Sequence, residues 1–283
     1  MNSEKEDIIY LYCLTGKAPG LPPLDIEVYS ISCFGLYAVL SKVSADEFSE
    51  ENLRKNLTDL EWVKHKAVIH EKVIETVMKE SCLPAGQAGV LPFKFGIIFN
   101  TEESLKKMLK ERVNEFKDAL KYLEGKEEWG GKIYCDVAKL KESLAREDKE
   151  LLNMDKEINS CQSGKAFILK KKKVELLNIM VNKKLNSYGQ HIFERLGQFS
   201  VEARVNKLLP KEATGRKEDM ILNFAFLIEK NKVESFIVAQ RALKAIFEEM
   251  GFFFDCSGPW PPYNFCETQA YGVKCAMKSQ SDF

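Results

Sequence analysis

A short proline and aromatic segment near the C-terminal end constrains this chain more than any other feature. The stretch Gly258–Phe265 holds three prolines and three aromatic residues in eight positions. Each proline fixes φ at roughly −65° and removes a backbone N–H, so the segment is predicted to be a stiff, polyproline-like or sheet-edge arm and not a central strand. Because Trp260, Tyr263 and Phe265 can each bury roughly 150–250 Å², we expect the arm to pack on its own domain, with a partner-facing arm as the alternative.

Composition places the chain among folded proteins of about two domains. It has 283 residues, of which 45% are hydrophobic and 30% are charged, as in ordinary globular proteins. Lys plus Arg and Asp plus Glu both number 42, so the balance argues against nucleic acid or an anionic membrane as a partner. The polar, acidic start and the lack of a long apolar run predict a cytoplasmic protein.

The cysteines and histidines do not predict a metal site. The eight cysteines are scattered and no two have C-x-x-C spacing, so we expect free, mostly buried thiols and neither disulfides nor bound metal. His65 and His70 lie five residues apart on a predicted helix, which is the wrong spacing for a zinc-binding face. They are predicted to be surface or hydrogen-bonded histidines.

The first half of the chain predicts an α+β domain over residues 1–137. Ser49 is a plausible N-cap for its longest helix, and Cys33-Phe34-Gly35 marks a turn between two strands. Strands and helices follow from alternating or helical apolar spacing, and their order implies helices on one face of a mainly antiparallel sheet. The predicted elements are strands at Ile8–Leu14, within Val28–Val43, at Val90–Phe99 and at Lys132–Val137, with helices at Glu50–Glu80 and Glu102–Leu123.

The second half repeats this plan. Residues 138–163 are highly charged and are predicted to form a solvated helical connector. Residues 164–265 form a second predicted α+β domain, and residues 266–283 a C-terminal tail. The predicted elements of this domain are a helix at Ala166–Leu196, strands at Phe199–Val205 and Met220–Ile228, and a helix at Lys232–Met250.

No catalytic or cofactor motif is present. The sequence lacks a P-loop, a G-x-G-x-x-G, a G-x-S-x-G and a kinase signature. The strand around Lys94-Phe95-Gly96 is superficially similar to the RNP1 motif of RNA-binding domains but departs from it at three positions. Phe93, Phe95 and Phe99 are therefore predicted to pack in the core.

Four segments follow one another along the chain: Asn56–Trp62 with His70-Glu71 downstream, Val90–Phe99, Leu123–Gly130 and Gly258–Phe265. Together they resemble the GvpF/GvpL family of gas vesicle proteins, and Gly164–Phe167 also fits. The segment Gly258–Phe265 is the most specific, and the resemblance covers about residues 8–265. Cys13, the stretch Ser81–Gly89 and the stretch Cys266–Phe283 depart from the family pattern.

The resemblance implies a cytoplasmic, non-enzymatic protein needed to assemble gas vesicles. It implies binding to the hydrophobic shell protein GvpA and to other accessory proteins. From the resemblance together with the composition and the motif search, we expect no cofactor, metal, nucleic acid or membrane partner. The resemblance also implies two ferredoxin-like α+β domains with a C-terminal tail, and it does not separate GvpF from GvpL. The structural or partner-binding residues that match the family motifs are Trp62, Phe95, Gly96, Trp129, Pro259, Trp260, Pro261, Pro262, Tyr263 and Phe265.

Two functions of other classes stay open from the residues themselves. A ferredoxin-like small-ligand sensor would need a pocket with converging polar groups. An RNA-binding module would need exposed sheet aromatics and a basic face. For the assembly protein, a sheet edge is the first expected contact, with Ile8–Leu14 or Val90–Phe99 as the candidate strand.

Overall fold

The computed structural model describes residues 7–21, 26–81 and 89–266. Its contacts divide the chain into two compact units, which are described separately. One unit comprises Met1–Glu128 together with Pro259–Phe283, and the other comprises Trp129–Gly258. The predicted Ser81–Gly89 loop lies largely outside the described residues, as do Cys82, Cys275 and the 267–283 part of the tail.

The first unit is built on an antiparallel sheet with helices between its strands. Strand β1 is Asp7–Thr15, β2 is Val28–Cys33 and β3 is Leu36–Ser44, as the predicted turn at Cys33-Phe34-Gly35 requires. The remaining elements are α1 (Ala45–Phe48), α2 (Glu50–Asn56), α3 (Leu60–Ser81), β4 (Val90–Pro92), β5 (Ile98–Phe99), α4 (Glu102–Glu111) and α5 (Val113–Leu123).

Strand β1 lies inside this sheet. The strand order is β2-β3-β1-β4, and β5 also pairs with β1. Ile8 faces Val43 on one side, Ile9 faces Phe99 on the other, and every residue of β1 after Asp7 is buried. Ile8–Leu14 is therefore wrong as a candidate edge strand, because both of its edges are hydrogen-bonded, whereas β2 and β4 end the order.

Two predicted elements of this unit are interrupted. The predicted helix Glu50–Glu80 breaks between α2 and α3, where Asp59 accepts hydrogen bonds from the backbone N–H groups of Glu61 and Trp62 and so caps α3. Ser49 precedes α2 but makes no side-chain capping bond. The predicted strand Val90–Phe99 divides into β4 and β5, because the chain turns at Gly96, whose φ is +83°.

The second unit contains the other sheet. Strand β6, Lys126–Cys135, begins at the end of the first unit and continues into the second. The remaining elements are α6 (Val137–Glu147), α7 (Lys149–Ser160), α8 (Ser163–Gly197), β7 (Ser200–Val205), α9 (Lys211–Thr214), β8 (Asp219–Glu229), a 3₁₀ turn (Lys230–Lys232), α10 (Val233–Glu248) and β9 (Phe252–Trp260), before a last 3₁₀ turn at Tyr263–Phe265.

Strand β6 is central in the second sheet, whose order is β7-β8-β6-β9. The sequence assigned this strand to the first domain as its closing strand. That assignment differs from the structure, because β6 lies between β8 and β9 and contributes Ile133 and Cys135 to the core of the second unit. The unit boundaries after Glu128 and Gly258 consequently differ from the predicted boundaries at residues 137 and 265.

The predicted solvated connector is part of the packed second unit. Residues 138–163 are helical as expected, forming most of α6 and α7. Leu140, Leu151 and Ile158 are nevertheless buried, and both helices pack on α8. The apolar face of each helix, and not its overall charge, decides this position.

The predicted arm follows the geometry that its prolines allow. Gly258–Trp260 ends β9, and β9 lies at one end of the strand order, in agreement with the exclusion of a central strand.

None of the described helices combines the length and the apolar character that a membrane span needs.

Candidate functional site at the C-terminal segment

A buried histidine lies at the centre of the first unit. His70, on α3, is 2% exposed. Its Nε2 lies 3.1 Å from the carbonyl oxygen of Phe93, and its Nδ1 lies 2.9 Å from the hydroxyl of Tyr10. A carbonyl oxygen only accepts, so Nε2 carries the proton and Nδ1 accepts from Tyr10. The Tyr10 oxygen in turn accepts from the backbone N–H of Gly96 at 2.9 Å.

Tyr263, in the C-terminal segment, extends this network. Its hydroxyl oxygen lies 3.0 Å from His70 Nε2 and donates its own proton to Glu71 Oε1 at 2.9 Å. The two rings also stack, with centroids 6.5 Å apart. The network therefore joins β1, α3, the turn at Gly96 and the C-terminal segment through hydrogen bonds whose donor and acceptor roles are mutually consistent.

Aromatic rings enclose His70. Phe95 contacts Tyr10, His70 and Trp62 with near edge-to-face geometry. Trp62 also packs on Phe48. The Lys66 ammonium lies 5.5 Å from the centroid of the Phe48 ring and 5.9 Å from that of the Trp62 ring. The buried Trp62 Nε1 has no hydrogen-bond partner among the described residues, so the ring is held by packing and cation–π contact.

A second set of contacts holds Asn264, the residue after Tyr263. We call these contacts and the His70 network together the clamp. Glu128 is 4% exposed, and its two carboxylate oxygens accept hydrogen bonds from the backbone N–H and the side-chain amide of Asn264, at 3.0 and 2.6 Å. The Cys266 thiol donates to the carbonyl of Pro262 at 2.8 Å. Both carboxylate oxygens are thus satisfied inside the protein, which is the condition for burying a carboxylate.

The structure brings together part of the predicted set of site residues. Phe95 and Tyr263 contact His70 directly. Trp62 packs on Phe95, and Gly96 donates its backbone N–H to Tyr10. Three further residues of the predicted set are buried, namely Pro261, Pro262 and Phe265. Trp129 belongs to the second unit, where it packs on Phe236. Pro259 and Trp260 are exposed, Trp260 by 43%. Residues 261–265 of the arm therefore belong to the first unit, whereas Gly258–Trp260 ends β9 of the second sheet; the sequence assigned the whole arm to the second domain.

The residues that tie the segment down escaped the sequence interpretation. Tyr10 was predicted only as part of the strand Ile8–Leu14, and Glu128 and Asn264 had no predicted role beyond their places in the segments Leu123–Gly130 and Gly258–Phe265. His70 was predicted to be a surface or hydrogen-bonded histidine, and the structure makes it a buried, hydrogen-bonded one. Its place beside Glu71 in a family segment was the available signal.

Burial shifts the pKa values of the clamp residues in opposite directions. It lowers the pKa of His70 from 6.5 to about 4, against the hydrogen bond to Phe93, and so keeps the ring neutral. It raises the pKa of Glu128 from 4.5 to about 7, against the two hydrogen bonds from Asn264. Burial also raises the pKa of Glu71, and the Tyr263 hydrogen bond opposes this.

These shifts predict opposing effects of acid on stability. The raised pKa of Glu128 gives stability that is present below about 4.5 and is lost as pH rises through about 7. The lowered pKa of His70 gives stability that is present above 6.5 and is lost as pH falls towards about 4. Glu128→Gln removes the opposing contribution of Glu128 and keeps that of His70, so its free energy of unfolding should fall more steeply in acid than that of the parent, by up to about 3 kcal/mol.

Urea unfolding of the parent and of Glu128→Gln across this pH range measures the difference. Glutamine keeps the shape of the side chain and can pair with Asn264 after that amide turns over. Glu127→Gln, at the adjacent position, serves as the control. Parallel pH profiles of the parent and Glu128→Gln would show that the buried carboxylate does not titrate as stated.

The arrangement has the chemistry of a structural clamp. Both nitrogens of His70 are engaged and its ring is enclosed, so it offers no base to a substrate. Among the described residues, no group of three or more His, Cys, Asp or Glu side chains is placed to hold a metal ion. The six described cysteines are free thiols. Phe93 and Phe99 are buried as predicted, at 1% and 9% exposure, which removes them as stacking surfaces for RNA.

Comparison with known proteins decides the family. The sequence profile described as "Gas vesicle synthesis protein GvpL/GvpF" matches residues 8–267. The chain belongs to the GvpL/GvpF family. The match takes in the second unit, most of the first unit and the segment that contains Tyr263 and Asn264, so the resemblance inferred from the four motifs is confirmed.

Curated members of the GvpL/GvpF family extend over most of the chain. Gas vesicle protein L of a Streptomyces species is 23% identical over 230 residues, covering 81% of this chain and 79% of that protein. Gas vesicle protein L1 of Halobacterium salinarum is 24% identical over 267 residues, covering 90% and 89%. Gas vesicle protein F of the Streptomyces species is 26% identical over 184 residues, covering 65% and 73%. L and F proteins thus match at similar identity.

Solved GvpF structures share the fold. The chain is similar to GvpF of Anabaena sp. PCC7120 with a TM-score of 0.69 at 20% identity, covering 93% of this chain and 99% of that one. It is similar to GvpF of Microcystis aeruginosa with a TM-score of 0.64 at 19% identity, covering 92% and 99%. The mixed α and β architecture with antiparallel pairing is therefore that of GvpF, and membership of the GvpL/GvpF family gives the chain a role in gas vesicle formation.

Proposed function

We propose that this chain is a non-enzymatic assembly protein that binds the hydrophobic shell protein GvpA and other accessory proteins while gas vesicles form. The observation that carries the proposal is the GvpL/GvpF match over residues 8–267. The chemistry of the clamp supports it, because the polar groups of His70, Tyr263 and Glu128 are hydrogen-bonded within the protein. We place the protein in the cytoplasm, at the growing gas vesicle.

An exposed apolar strip on α8 supports a binding role. Phe167, Ile168, Val174 and Ile179 are each between 59% and 66% exposed. Residues seven or eleven positions apart lie on nearly the same side of a helix, so Phe167 and Val174 form one exposed apolar row and Ile168 and Ile179 form another, about 100° or more away around the axis. A shell subunit that keeps water out of a gas space has apolar surface to protect before assembly, and such a strip can cover part of it.

The free ends of the two sheets offer a second kind of contact. β7 ends the strand order of the second sheet, and its Val201 and Val205 are exposed. An end strand can extend its sheet by pairing with a strand of a partner. We propose β7 and β2 as the edges for this contact, in place of Ile8–Leu14.

We also propose that each unit is a variant of the ferredoxin-like fold. With β6 included, the second unit has the element order β-α-β-β-α-β that this fold requires. In both sheets the first strand lies between the third and the last. The first unit lacks a helix between β1 and β2 among its described residues.

The proposal predicts that removal of this chain from a gas vesicle gene cluster abolishes or severely reduces floating cells. It also predicts that the full chain retains tagged GvpA in a pull-down after co-expression. Both follow from an assembly protein that holds or templates an aggregation-prone shell subunit. Normal vesicles in the deletion strain, together with no retention of GvpA or any accessory protein, would contradict the proposal.

Trp260→Ala separates binding from folding in the same assay. Trp260 is exposed and lies at the end of β9, so its loss should leave the melting temperature close to that of the parent. A lower yield of co-purified GvpA would then place the exposed tryptophan in the binding surface. Phe265→Ala is the matched comparison, because Phe265 is buried and its loss should lower the melting temperature first.

A further inference from the structure

A small cavity in the first unit collects basic side chains. It measures about 220 Å³ and is lined by three lysines, Lys17, Lys117 and Lys121, and by the single carboxylate of Glu124. In a chain with equal numbers of acidic and basic residues, this local excess of positive charge favours an anion. The volume is below the roughly 300–1,000 Å³ of sites for drug-sized ligands, and it suits a side chain or a small anion.

Glycine backbone forms the walls of this cavity. Gly35 has a φ of +76°, and a Cβ built there would lie 3.4 Å from Nζ of Lys117. Gly89 approaches α5 so closely that a Cβ would lie 2.3 Å from the carbonyl oxygen of Leu120. The loop that carries Lys17 is tied down by the Thr15 hydroxyl, which donates to the Lys17 carbonyl at 2.6 Å. The cavity is thus held by backbone on several sides.

An exposed phenylalanine is the chain neighbour of the lining residue Gly35. Phe34 directly precedes Gly35 in the turn between β2 and β3 and is 44% exposed. Among the described residues it is the one non-glycine residue with a positive φ, at +55°. Two-residue hairpin turns with this geometry favour Asn-Gly, and a bulky residue there is strained. Packing within the fold does not explain why a strained backbone position carries an exposed aromatic side chain.

We propose that this surface, the cavity and Phe34, binds an acidic segment of a gas vesicle protein. One carboxylate of the segment enters the cavity between the three ammonium groups, and a neighbouring apolar side chain packs on Phe34. The charge of the cavity selects the acid, and the exposed ring selects a peptide over a free anion. The inference rests on the proposed assembly function and names the surface through which it acts.

Pull-downs with charge variants test this surface. The full chain, as parent and as Lys117→Gln/Lys121→Gln, is mixed singly with tagged GvpA and with each accessory protein of the same gene cluster. We expect at least one partner to bind the double variant about 10-fold or more weakly. The control is Lys107→Gln/Lys110→Gln, which removes two exposed lysines from α4 and should bind as the parent does.

Phe34→Asn gives a readout that a purely structural residue would not. Asparagine suits the left-handed turn, so the variant should melt at or above the temperature of the parent. The same variant should bind the selected partner more weakly. A melting temperature below that of the parent, or unchanged binding, would overturn the role given to Phe34.

The arms distinguish the possible failures. If the parent binds no gas vesicle protein, the proposed function itself fails. If the parent binds a partner and the lysine double variant binds it equally well, this surface is not the contact and the inference fails alone. Calorimetry with inorganic phosphate is the last arm: binding that the double variant loses, without loss of any protein partner, would make the cavity a small-anion site and overturn the peptide proposal.

Discussion

Replacing Gly131 by alanine should strongly destabilise the second unit. Gly131 lies in β6, and a Cβ there would sit 2.0 Å from Cζ of Phe224 and within 2.6 Å of two further ring atoms. Phe224 is 1% exposed and packs on Phe193 and Phe226. The ring has no free space to move into, so either the core or β6 must shift.

We expect the free energy of unfolding to fall by about 3 kcal/mol or more, at the upper end of what overpacking a core costs. Thermal or urea unfolding monitors the change. Gly164→Ala is the control, because a Cβ at Gly164, in the first turn of α8, meets nothing within 4 Å. That variant should be as stable as the parent or slightly more so, since alanine favours a helix. Equal melting of the two variants would show that β6 does not pass beside Phe224.

The spacing of apolar residues and glycines within a short stretch was enough to predict some helices, strands and turns. The turn at Cys33-Phe34-Gly35 separates β2 from β3 as predicted, and the predicted helix Ala166–Leu196 lies within α8. Both signals are contained in a short stretch of chain: a glycine turn between apolar runs, and a long helical period. The break before α3 was also readable, since Thr58-Asp59 supplies a capping residue inside the predicted helix.

The partners of an element were not readable in the same way. The residues of β6 do not determine which of the two sheets it joins. Its mixture of apolar and polar residues suits both sheets, and the choice depends on the positions of the other strands. Once β6 is assigned to the second sheet, the connector becomes a pair of packed helices and the boundary moves from residue 137 to Glu128.

The clamp shows the same limit at the level of single residues. His65 and His70 share one helix and differ little in their local sequence, yet His65 is exposed and His70 is buried. Tyr10, 60 residues before His70, and Tyr263, 193 residues after it, make the difference. The family resemblance found Tyr263 and the segment that contains His70, but only the structure shows that the two are joined.

This pair of histidines also gives the second large expected effect. His70→Ala should lower the free energy of unfolding of the first unit by about 3–5 kcal/mol, because it empties a large enclosed site and removes the hydrogen bonds of His70 with the Tyr10 hydroxyl and the Phe93 carbonyl. His65→Ala, on the exposed side of the same helix, should change it by no more than about 0.5 kcal/mol. Urea unfolding followed by far-UV circular dichroism measures both, and similar losses in the two variants would contradict the buried network.

A double-mutant cycle then isolates the link between the histidine and the C-terminal segment. Tyr263→Phe keeps the ring but removes the hydroxyl that accepts from His70 and donates to Glu71, so alone it should cost about 1–2 kcal/mol. In the His70→Ala background the same change should cost less by at least about 0.5 kcal/mol, because the hydrogen bond from His70 is already gone. Strict additivity would mean that His70 stabilises the sheet without holding the C-terminal segment.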